Sequence, residues 1–231
     1  MQNQIVSTDE WVKARKALLT REKEFTRQRD RMTADIRALP WRKVEKDYSF
    51  NGSKGKLGLV DLFEGRSQLA IYHFMFGPDW EQGCKSCSYW ADGFQGISIH
   101  LAQRDVSFVV ISRAPLSTID HFKKRMGWKF SWVSSFESDF NVDFGLSFSD
   151  EDKRAGQATY NYTIGPYISD EMPGASFFFR RDKEVFHTYS TYARGLDLLN
   201  SAYNWLDLVP KGRGENPDST MDWLRHHDRY L

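Results

Sequence analysis

An alternation of apolar runs and amphipathic segments in the middle of the chain constrains the fold most strongly. Residues 69–76 form an apolar run whose length and composition predict a buried strand, and residues 106–111 form a second. Residues 85–103 and 115–126 each place apolar side chains on one helical face. Strand, helix, strand and helix in this order predict parallel strands joined by right-handed crossovers, and therefore an α/β fold.

The later part of the chain changes to an antiparallel pattern. Pro173 precedes an apolar run at 175–180, and residues 184–190 alternate as a returning strand after a short turn, which predicts a β-hairpin. Residues 196–208 are predicted to form the last helix. The stretch 130–165 is less regular, rich in Ser, Asp and aromatic residues, and is predicted to be an insertion.

A long helix is predicted at the N-terminus. Ser7 and Glu10 form a capping-box pattern, apolar residues then recur at heptad-like spacing, and Pro40 ends the pattern. The apolar stripe is narrow because the other faces are charged. Two interpretations stay open: the helix lies on its own domain, or it is an arm that packs against a second subunit and forms a homo-oligomer.

The predicted organisation has three parts: a helical arm at 1–40, a main domain at 41–209 that contains the insertion, and a polar linker with a C-terminal tail at 210–231. The tail residues His226 and His227 are expected to be exposed. Apolar residues make up 40% of the chain and aromatic residues 15%, which is ample for a packed core.

Charge and hydropathy exclude several classes of function. The formal net charge is +1, so we expect no binding to nucleic acid through a spread basic surface. No run approaches 18 apolar residues, so we expect no membrane span. The first thirty residues are rich in charged side chains and show no secretion signal, which predicts a cytosolic protein.

The motif with the strongest chemical meaning is the cysteine pair Cys84 and Cys87, separated by Lys85 and Ser86. It follows a predicted buried strand and begins a predicted helix. Free N–H groups and the dipole at a helix N-terminus stabilise a thiolate at Cys84, and Lys85 adds a nearby positive charge. Cys87 lies one turn on, on the same face, where it can resolve a mixed disulfide. This context favours redox-active thiols.

Two other interpretations of the pair remain. Two cysteines at this spacing are half of a zinc site, but the sequence has no second cysteine pair and no two histidines with the spacing of a zinc finger. We therefore expect no metal and no cofactor. The second alternative is a pair of structural cysteines that only fill space in the core.

Several longer phrases carry a family resemblance. They are Leu39-Pro40-Trp41, the stretch from Tyr72 to Trp80, the cysteine pair, Ser112-Arg113-Ala114-Pro115, and the stretch from Phe186 to Gly195. With these phrases the chain resembles the bacterial thioredoxin-like family catalogued as domain of unknown function 899, within the thioredoxin-like superfamily. The resemblance implies an α/β thioredoxin-like three-layer sandwich, with a central mixed sheet flanked by helices and a long N-terminal helix.

The wider resemblance to thioredoxins also implies residue roles. Cys84 matches the nucleophile and Cys87 the resolving thiol. Pro173 matches the proline that faces the dithiol in that fold, and its peptide bond is expected to be cis. The sequence departs from thioredoxins just before the first cysteine, because Gly83 stands where they have Trp, and the nearest tryptophan is Trp80.

The buried acid that accepts a proton in thioredoxins has no clear counterpart here. His73, on the strand that leads to the cysteines, is one candidate for that role, and a hydrogen-bonded core histidine is the alternative interpretation. The predicted function is a cytosolic thiol–disulfide oxidoreductase acting on protein or small-molecule disulfides. A non-catalytic interaction module is the competing class. A peroxiredoxin-like peroxidase is less favoured, because its Thr and Arg partners are not identifiable in the sequence.

Overall fold

The structure is a computed structural model that describes residues 3–230. The chain divides into two compact units, Met1–Pro40 and Trp41–Leu231. In the first unit helix α1 (Thr8–Ala38) has Ser7 as its N-cap. The Ser7 hydroxyl accepts the backbone N–H of Glu10, and the Glu10 carboxylate accepts the backbone N–H of Ser7 at 3.0 Å. The predicted capping box is therefore confirmed.

The second unit contains the strands and the remaining helices. Its strands are β1 (Arg42–Lys43), β2 (Ser49–Gly52), β3 (Gly55–Gly58), β4 (Gln68–His73), β5 (Val106–Ser112), β6 (Ser131–Ser134), β7 (Gln157–Tyr160), β8 (Thr163–Pro166), β9 (Gly174–Arg181) and β10 (Glu184–Tyr192). Its α-helices are α2 (Lys85–Ala91), α3 (Ile97–Ala102), α4 (Leu116–Arg125), α5 (Phe140–Asp143), α6 (Asp150–Ala155) and α7 (Ser201–Leu206). None of the helices in residues 3–230 is long and apolar enough to cross a membrane.

The central sheet is mixed. Its strand order is β1-β10-β9-β4-β5-β6-β2-β3, with β4, β5 and β6 parallel and β9 antiparallel to both β4 and β10. The segment β10-β9-β4-β5 has the arrangement of a thioredoxin-like core, and helices flank the sheet. The predicted α/β fold class and the predicted hairpin β9–β10 are confirmed.

Hydrophobic clusters cover both faces of this sheet. Side chains alternate along a strand, so neighbours on β4 enter different clusters. Tyr72 packs in the cluster that contains α2, α4 and Cys87, whereas Ile71 packs with Phe140 and other residues on the opposite face. This alternation decides which β4 side chains lie on the side of the cysteines.

The predicted helix at 85–103 is broken. Helix α2 passes into a short 3-10 turn at Asp92–Phe94, and α3 begins only after Gly96. Gly96 has φ of +86°, in the left-handed region that glycine enters without steric cost. The predicted last helix at 196–208 is likewise shorter, because a 3-10 stretch, Ala193–Leu199, precedes α7.

The stretch at 130–165 is not wholly an insertion. Its first part is β6, which pairs with β5 in parallel and buries Trp132 and Val133. The strand is only four residues long, too short for its periodicity to stand out. The rest of the stretch forms α5, α6 and the separate two-stranded sheet of β7 and β8.

The C-terminal segment, residues 210–230, differs from the linker and exposed tail that the sequence predicts. Leu224 is fully buried, and the Glu215 carboxylate accepts hydrogen bonds from the Tyr203 hydroxyl at 2.8 Å and the Trp223 indole N–H at 2.9 Å. His226 is half-buried rather than exposed. The aromatic and leucine side chains hold this segment against the rest of the second unit, because each buries apolar surface or satisfies a polar group.

Candidate dithiol site

The cysteine pair follows β4 in the chain and lies beyond the C-terminal end of that strand. The N–H of Cys84 donates to the carbonyl of Met75 at 3.0 Å, which ties the first cysteine to the residues that follow the strand. Cys84 is the N-cap of α2, and its carbonyl accepts the N–H of Ser88 at 3.0 Å and the Ser88 hydroxyl at 2.9 Å. The first cysteine therefore stands at a helix start, as the sequence predicts.

The two cysteines lie 4.1 Å apart and neither is in a disulfide. Cys84 is partly exposed, whereas Cys87 has only 2% of its surface exposed. The backbone N–H of Met75 donates to the Cys87 sulfur at 3.4 Å. The pair thus combines one partly exposed residue with one that is buried inside the protein.

The environments of the two thiols shift their pKa values in opposite directions. The hydrogen bond from the Cys87 thiol is the largest cause that lowers the pKa of Cys84 to about 6, and backbone N–H groups and the Ser86 hydroxyl add to it against the effect of burial. Burial, followed by the interaction with Cys84, raises the pKa of Cys87 well above its ordinary value. These shifts favour the thiolate form of Cys84 and the thiol form of Cys87 near neutral pH.

The structure does not support the prediction that the charge of Lys85 stabilises the Cys84 thiolate. Lys85 is exposed, and its charge is not among the main interactions that lower the pKa of Cys84. Solvent screens an exposed ammonium, whereas the backbone and hydroxyl groups of Ser86 are among the causes that lower the pKa of Cys84.

Two tyrosines that the sequence analysis did not single out belong to this site. Tyr72 is buried on β4, and its hydroxyl interacts with the Cys87 thiol; burial is the main cause that raises the pKa of Tyr72. Tyr160, at the end of β7, donates its hydroxyl to the Pro173 carbonyl at 2.7 Å and accepts the N–H of Ala193 at 2.9 Å. Burial raises the pKa of Tyr160 too, so both phenols stay protonated.

The expectation of a cis bond at Pro173 is wrong, because no peptide bond within the described residues is cis. The residues before Pro173 are already extended: Met172 donates its N–H to the Leu146 carbonyl at 2.8 Å, and Glu171 forms an isolated bridge with Ser147. A trans bond continues this extended path into β9.

His73 lies on the face of the sheet opposite Tyr72. It is buried and stacks on the ring of Phe140 at 5.7 Å, while its Nε2 bonds to the Ser176 hydroxyl at 2.9 Å. Burial, helped by the nearby His187, lowers the pKa of His73 to about 3. His73 therefore fits the interpretation as a hydrogen-bonded core histidine and is not placed to accept a proton from the cysteines.

Packing around Gly83 explains why no tryptophan precedes the first cysteine. A Cβ at Gly83 would meet the ring of Phe74 at 2.6 Å and the ring of Phe122 at 2.8 Å. Trp80 instead packs against Gly77, where an added Cβ would lie 2.8 Å from its indole nitrogen. Trp80 stays partly buried against the same cluster as the cysteines.

An ion pair between Arg113 and Glu171 lies at the sheet edge where the parallel strands β4 and β5 end. Arg113 follows β5, and its guanidinium donates to the Glu171 carboxylate at 2.9 Å, which also accepts the Ser147 hydroxyl at 2.6 Å. Glu171 is almost fully buried, and burial raises its pKa. The pair fixes the chain just before Pro173.

The sequence contained a signal for Tyr72 but none for Tyr160. Tyr72 has the same parity along the strand as Phe74 and Phe76, which point to the side of α2. Tyr160 lies within the stretch taken as an irregular insertion. Its contact with Pro173 depends on how that stretch folds back.

Comparisons with known proteins give one family and several structural likenesses. The family model described as "Bacterial protein of unknown function (DUF899)" matches residues 1–230. A comparison with curated proteins finds no match.

Three solved structures illustrate the structural likenesses. Peroxidoxin BcpB from Mycobacterium tuberculosis has a TM-score of 0.43 and 12% identity, over 70% of this chain and 93% of that one. Peroxiredoxin Q from Xanthomonas campestris also has a TM-score of 0.43 and 12% identity, over 67% and 86%. A mutant of PrxQ from Xylella fastidiosa has a TM-score of 0.42 and 13% identity, over 72% and 96%.

Proposed function

We propose that this chain, which belongs to the bacterial protein family of unknown function DUF899, is a thiol–disulfide oxidoreductase that uses Cys84 and Cys87. The observation that carries the proposal is the asymmetry of the pair. The partly exposed Cys84 has a lowered pKa, and the buried Cys87, which lies 4.1 Å away, has a raised one. A nucleophile and a resolving thiol need this difference.

In the first step the Cys84 thiolate attacks one sulfur of a substrate disulfide. A bond forms between Cys84 and that sulfur, the substrate disulfide breaks, and the other substrate sulfur leaves as a thiolate that takes a proton from water. Only Cys84 is open to solvent, so the mixed disulfide forms at this residue.

In the second step Cys87 resolves the mixed disulfide. Its thiol loses a proton to water and attacks the sulfur of Cys84, which forms the Cys84–Cys87 disulfide, breaks the mixed disulfide and releases the second substrate sulfur as a thiolate that takes up a proton in turn. The phenol of Tyr72 and the N–H of Met75 both lower the pKa of Cys87 and so favour the thiolate that forms in this step. The protein gives two electrons to the substrate, and an external thiol reductant must return them.

The substrates we propose are protein or small-molecule disulfides. The compartment we propose is the cytosol, where thiols are kept reduced between turnovers. No nucleic acid, membrane or cofactor takes part in this chemistry.

The test is turnover of the purified protein with a model disulfide, oxidised glutathione or insulin, in the presence of dithiothreitol. The wild type is expected to accelerate reduction and Cys84→Ser is expected to be inactive. When dithiothreitol is left out, Cys87→Ser is expected to accumulate a mixed disulfide at Cys84. Lys85→Gln, which alters an exposed neighbour, serves as the control and is expected to retain turnover.

Three results would contradict the proposal in whole or in part. A wild-type protein that reduces neither substrate faster than dithiothreitol alone points to the interaction module. Rapid reduction of hydrogen peroxide together with no reduction of disulfides points to a peroxidase. Mixed-disulfide mass on Cys87 rather than on Cys84 would reverse the roles of the two cysteines.

A further inference from the structure

The C-terminal segment reaches the residue that directly precedes Cys84. The Nε2 atom of His226 lies 2.9 Å from the carbonyl oxygen of Gly83. That carbonyl belongs to the same peptide group whose N–H, on Cys84, donates to Met75 at 3.0 Å. Both ends of the peptide that leads into the nucleophile are therefore held by hydrogen bonds, one from within the site and one from the far end of the chain.

The partners of the imidazole determine which nitrogen of His226 carries the proton. The guanidinium of Arg125 lies 3.1 Å from Nδ1 of His226. A guanidinium only donates hydrogen bonds, so Nδ1 is the acceptor and Nε2 carries the hydrogen that is donated to Gly83. The neutral imidazole thus satisfies both neighbours at once.

Arg125 is itself fixed in this orientation. It donates to the Asp228 carboxylate at 2.8 and 2.9 Å and to the side-chain oxygen of Gln82 at 2.9 Å. Gln82 directly precedes Gly83. Arg125 therefore connects helix α4, the loop before Cys84 and the C-terminal segment through one planar group.

The segment that carries His226 is docked by independent contacts. Leu224 is fully buried, and the ring of His226 packs edge-on against Phe122 at 5.3 Å. The next residue, His227, bonds through Nδ1 to the carboxylate of Asp92 at 2.6 Å. These contacts hold the segment even without the bond to Gly83, so a variant of His226 can be tested in a docked protein.

We propose that His226 is a positioning residue for Cys84, which holds the Gly83–Cys84 peptide and partly neutralises the negative end of its carbonyl dipole. This role rests on the proposed thiol–disulfide function. A carbonyl oxygen that accepts a hydrogen bond has less free negative charge to repel a nearby thiolate, so the bond favours the ionised form of Cys84.

Burial and the neighbouring arginines favour the neutral form of His226 that this role needs. Burial is the main cause that lowers the pKa of His226, and the charges of Arg125 and Arg229 act in the same direction, while the hydrogen bond to the Gly83 carbonyl and the charge of Asp228 act in the opposite direction. Below that pKa both ring nitrogens would be donors, and Nδ1–H would face the guanidinium of Arg125. The contact with Gly83 and Arg125 therefore belongs to the neutral imidazole.

The experiment compares the full chain with three variants. His226→Phe keeps a ring against Phe122 but loses both hydrogen bonds. His226→Gln provides an amide that can donate to the Gly83 carbonyl and accept from Arg125. His227→Phe is the matched control, since it alters the neighbouring residue and its bond to Asp92 without touching Gly83. The readout is the alkylation rate of Cys84 against pH, with thermal melting recorded for each protein.

We expect His226→Phe to raise the apparent pKa of Cys84 by about half to one unit, which slows alkylation at pH 6 about two- to fivefold. His226→Gln is expected to restore most of the rate, and His227→Phe is expected to leave it unchanged. An unshifted Cys84 pKa in a folded His226→Phe protein would overturn the role of His226. An equal shift in both Phe variants would also overturn it, because the effect would then come from docking of the segment.

The result separates this inference from the proposed function. If wild-type Cys84 already titrates at the ordinary value for a free cysteine, the proposed function loses its basis. If the wild-type value is low and His226→Phe leaves it low, only the role of His226 is wrong.

Discussion

The backbone N–H of Met75 points at the sulfur of Cys87, with a nitrogen–sulfur distance of 3.4 Å. The carbonyl of the same residue accepts the N–H of Cys84 at 3.0 Å. One residue just beyond β4 therefore holds the sulfur of one cysteine and the backbone of the other. The distance between the thiols depends on this loop, and the loop is in turn fixed by the packing of Phe74 and Phe122 around Gly83.

Removing the buried thiol should make the exposed one less acidic. The hydrogen bond from Cys87 is the largest cause of the lowered pKa of Cys84, so Cys87→Ala is expected to raise that pKa from about 6 toward the ordinary value of about 8.5. The rate of alkylation against pH measures it. Cys87→Ser, which keeps a donor, should shift it less; equal values in wild type and Cys87→Ala would show that the thiols do not interact.

The residues between the cysteines should differ in their effect on reactivity. Ser86→Ala removes a hydroxyl that hydrogen-bonds to the Cys84 sulfur, and is expected to raise the pKa of Cys84 by about half a unit or more. Lys85→Gln removes an exposed charge and should shift it by less. The same alkylation profile tests both variants in dilute salt, and a larger effect for Lys85→Gln would mean that charge outweighs hydrogen bonding here.

Gly83 should not tolerate a side chain. Gly83→Ala places a methyl group within 2.8 Å of two rigid rings, so the free energy of unfolding should fall by about 1–3 kcal/mol. Gly165→Ala is the matched control, because an added Cβ meets nothing within 4 Å there. Chemical denaturation of the two variants gives the comparison. Equal stability of both would mean that the rings of Phe74 and Phe122 move aside freely.

Tyr72 should act on the second step and not on the first. Tyr72→Phe removes the hydroxyl that lowers the pKa of Cys87, so resolution of the mixed disulfide is expected to slow roughly five- to tenfold. Alkylation of Cys84 in the reduced protein should change little. Stopped reactions with oxidised glutathione, analysed by mass, show whether the mixed disulfide accumulates; its absence at all times would exclude this role for the phenol.

Acid should destabilise the fold through the buried histidines. The pKa of His73 is lowered to about 3 and that of His187 to about 4, both mainly by burial, against about 6.5 in an unfolded chain. The unfolded state therefore binds more protons from pH 6.5 downward, so stability is full above pH 6.5 and is lost as the pH falls toward 3.

Denaturant unfolding of wild type and His73→Leu between pH 7 and pH 4 tests this linkage. In the steep part of the range, each histidine that the fold keeps neutral lowers the free energy of unfolding by about 1.4 kcal/mol for every unit by which the pH falls. The slope should be smaller in His73→Leu, whatever its stability at pH 7. Parallel profiles would show that His73 is not kept neutral by the fold.

Local patterns predicted the elements that carry the cysteines. The apolar run at 69–76 and the motif that follows it placed Cys84 at a helix start, because a strand, a turn and a helix N-terminus each leave a signal within a few residues. The helix predicted over 85–103 breaks at Gly96, which has φ in the left-handed region. Because glycine enters that region easily, Gly96 was a sequence signal from which the break could have been predicted.

The remaining features of the site depend on contacts between distant residues. His226 and Gly83 are 143 residues apart, and no local pattern links them. The extended path before Pro173 includes the bridge between Ser147 and Glu171, and these residues also lie too far apart for a short sequence window to link them. Only the alternation of side chains along β4 indicates which face of the sheet His73 occupies. A histidine by itself is compatible with either a core or a catalytic position.

The most direct test of the account is the pH dependence of alkylation at each cysteine of the reduced wild-type protein, resolved by peptide mass mapping. The account predicts that Cys84 is labelled first, with an apparent pKa near the value of about 6 that its hydrogen bonds favour, and that Cys87 is labelled only at a much higher pH than Cys84. Cys87 reacting first, or both thiols titrating together near the ordinary pKa of a free cysteine, would contradict it.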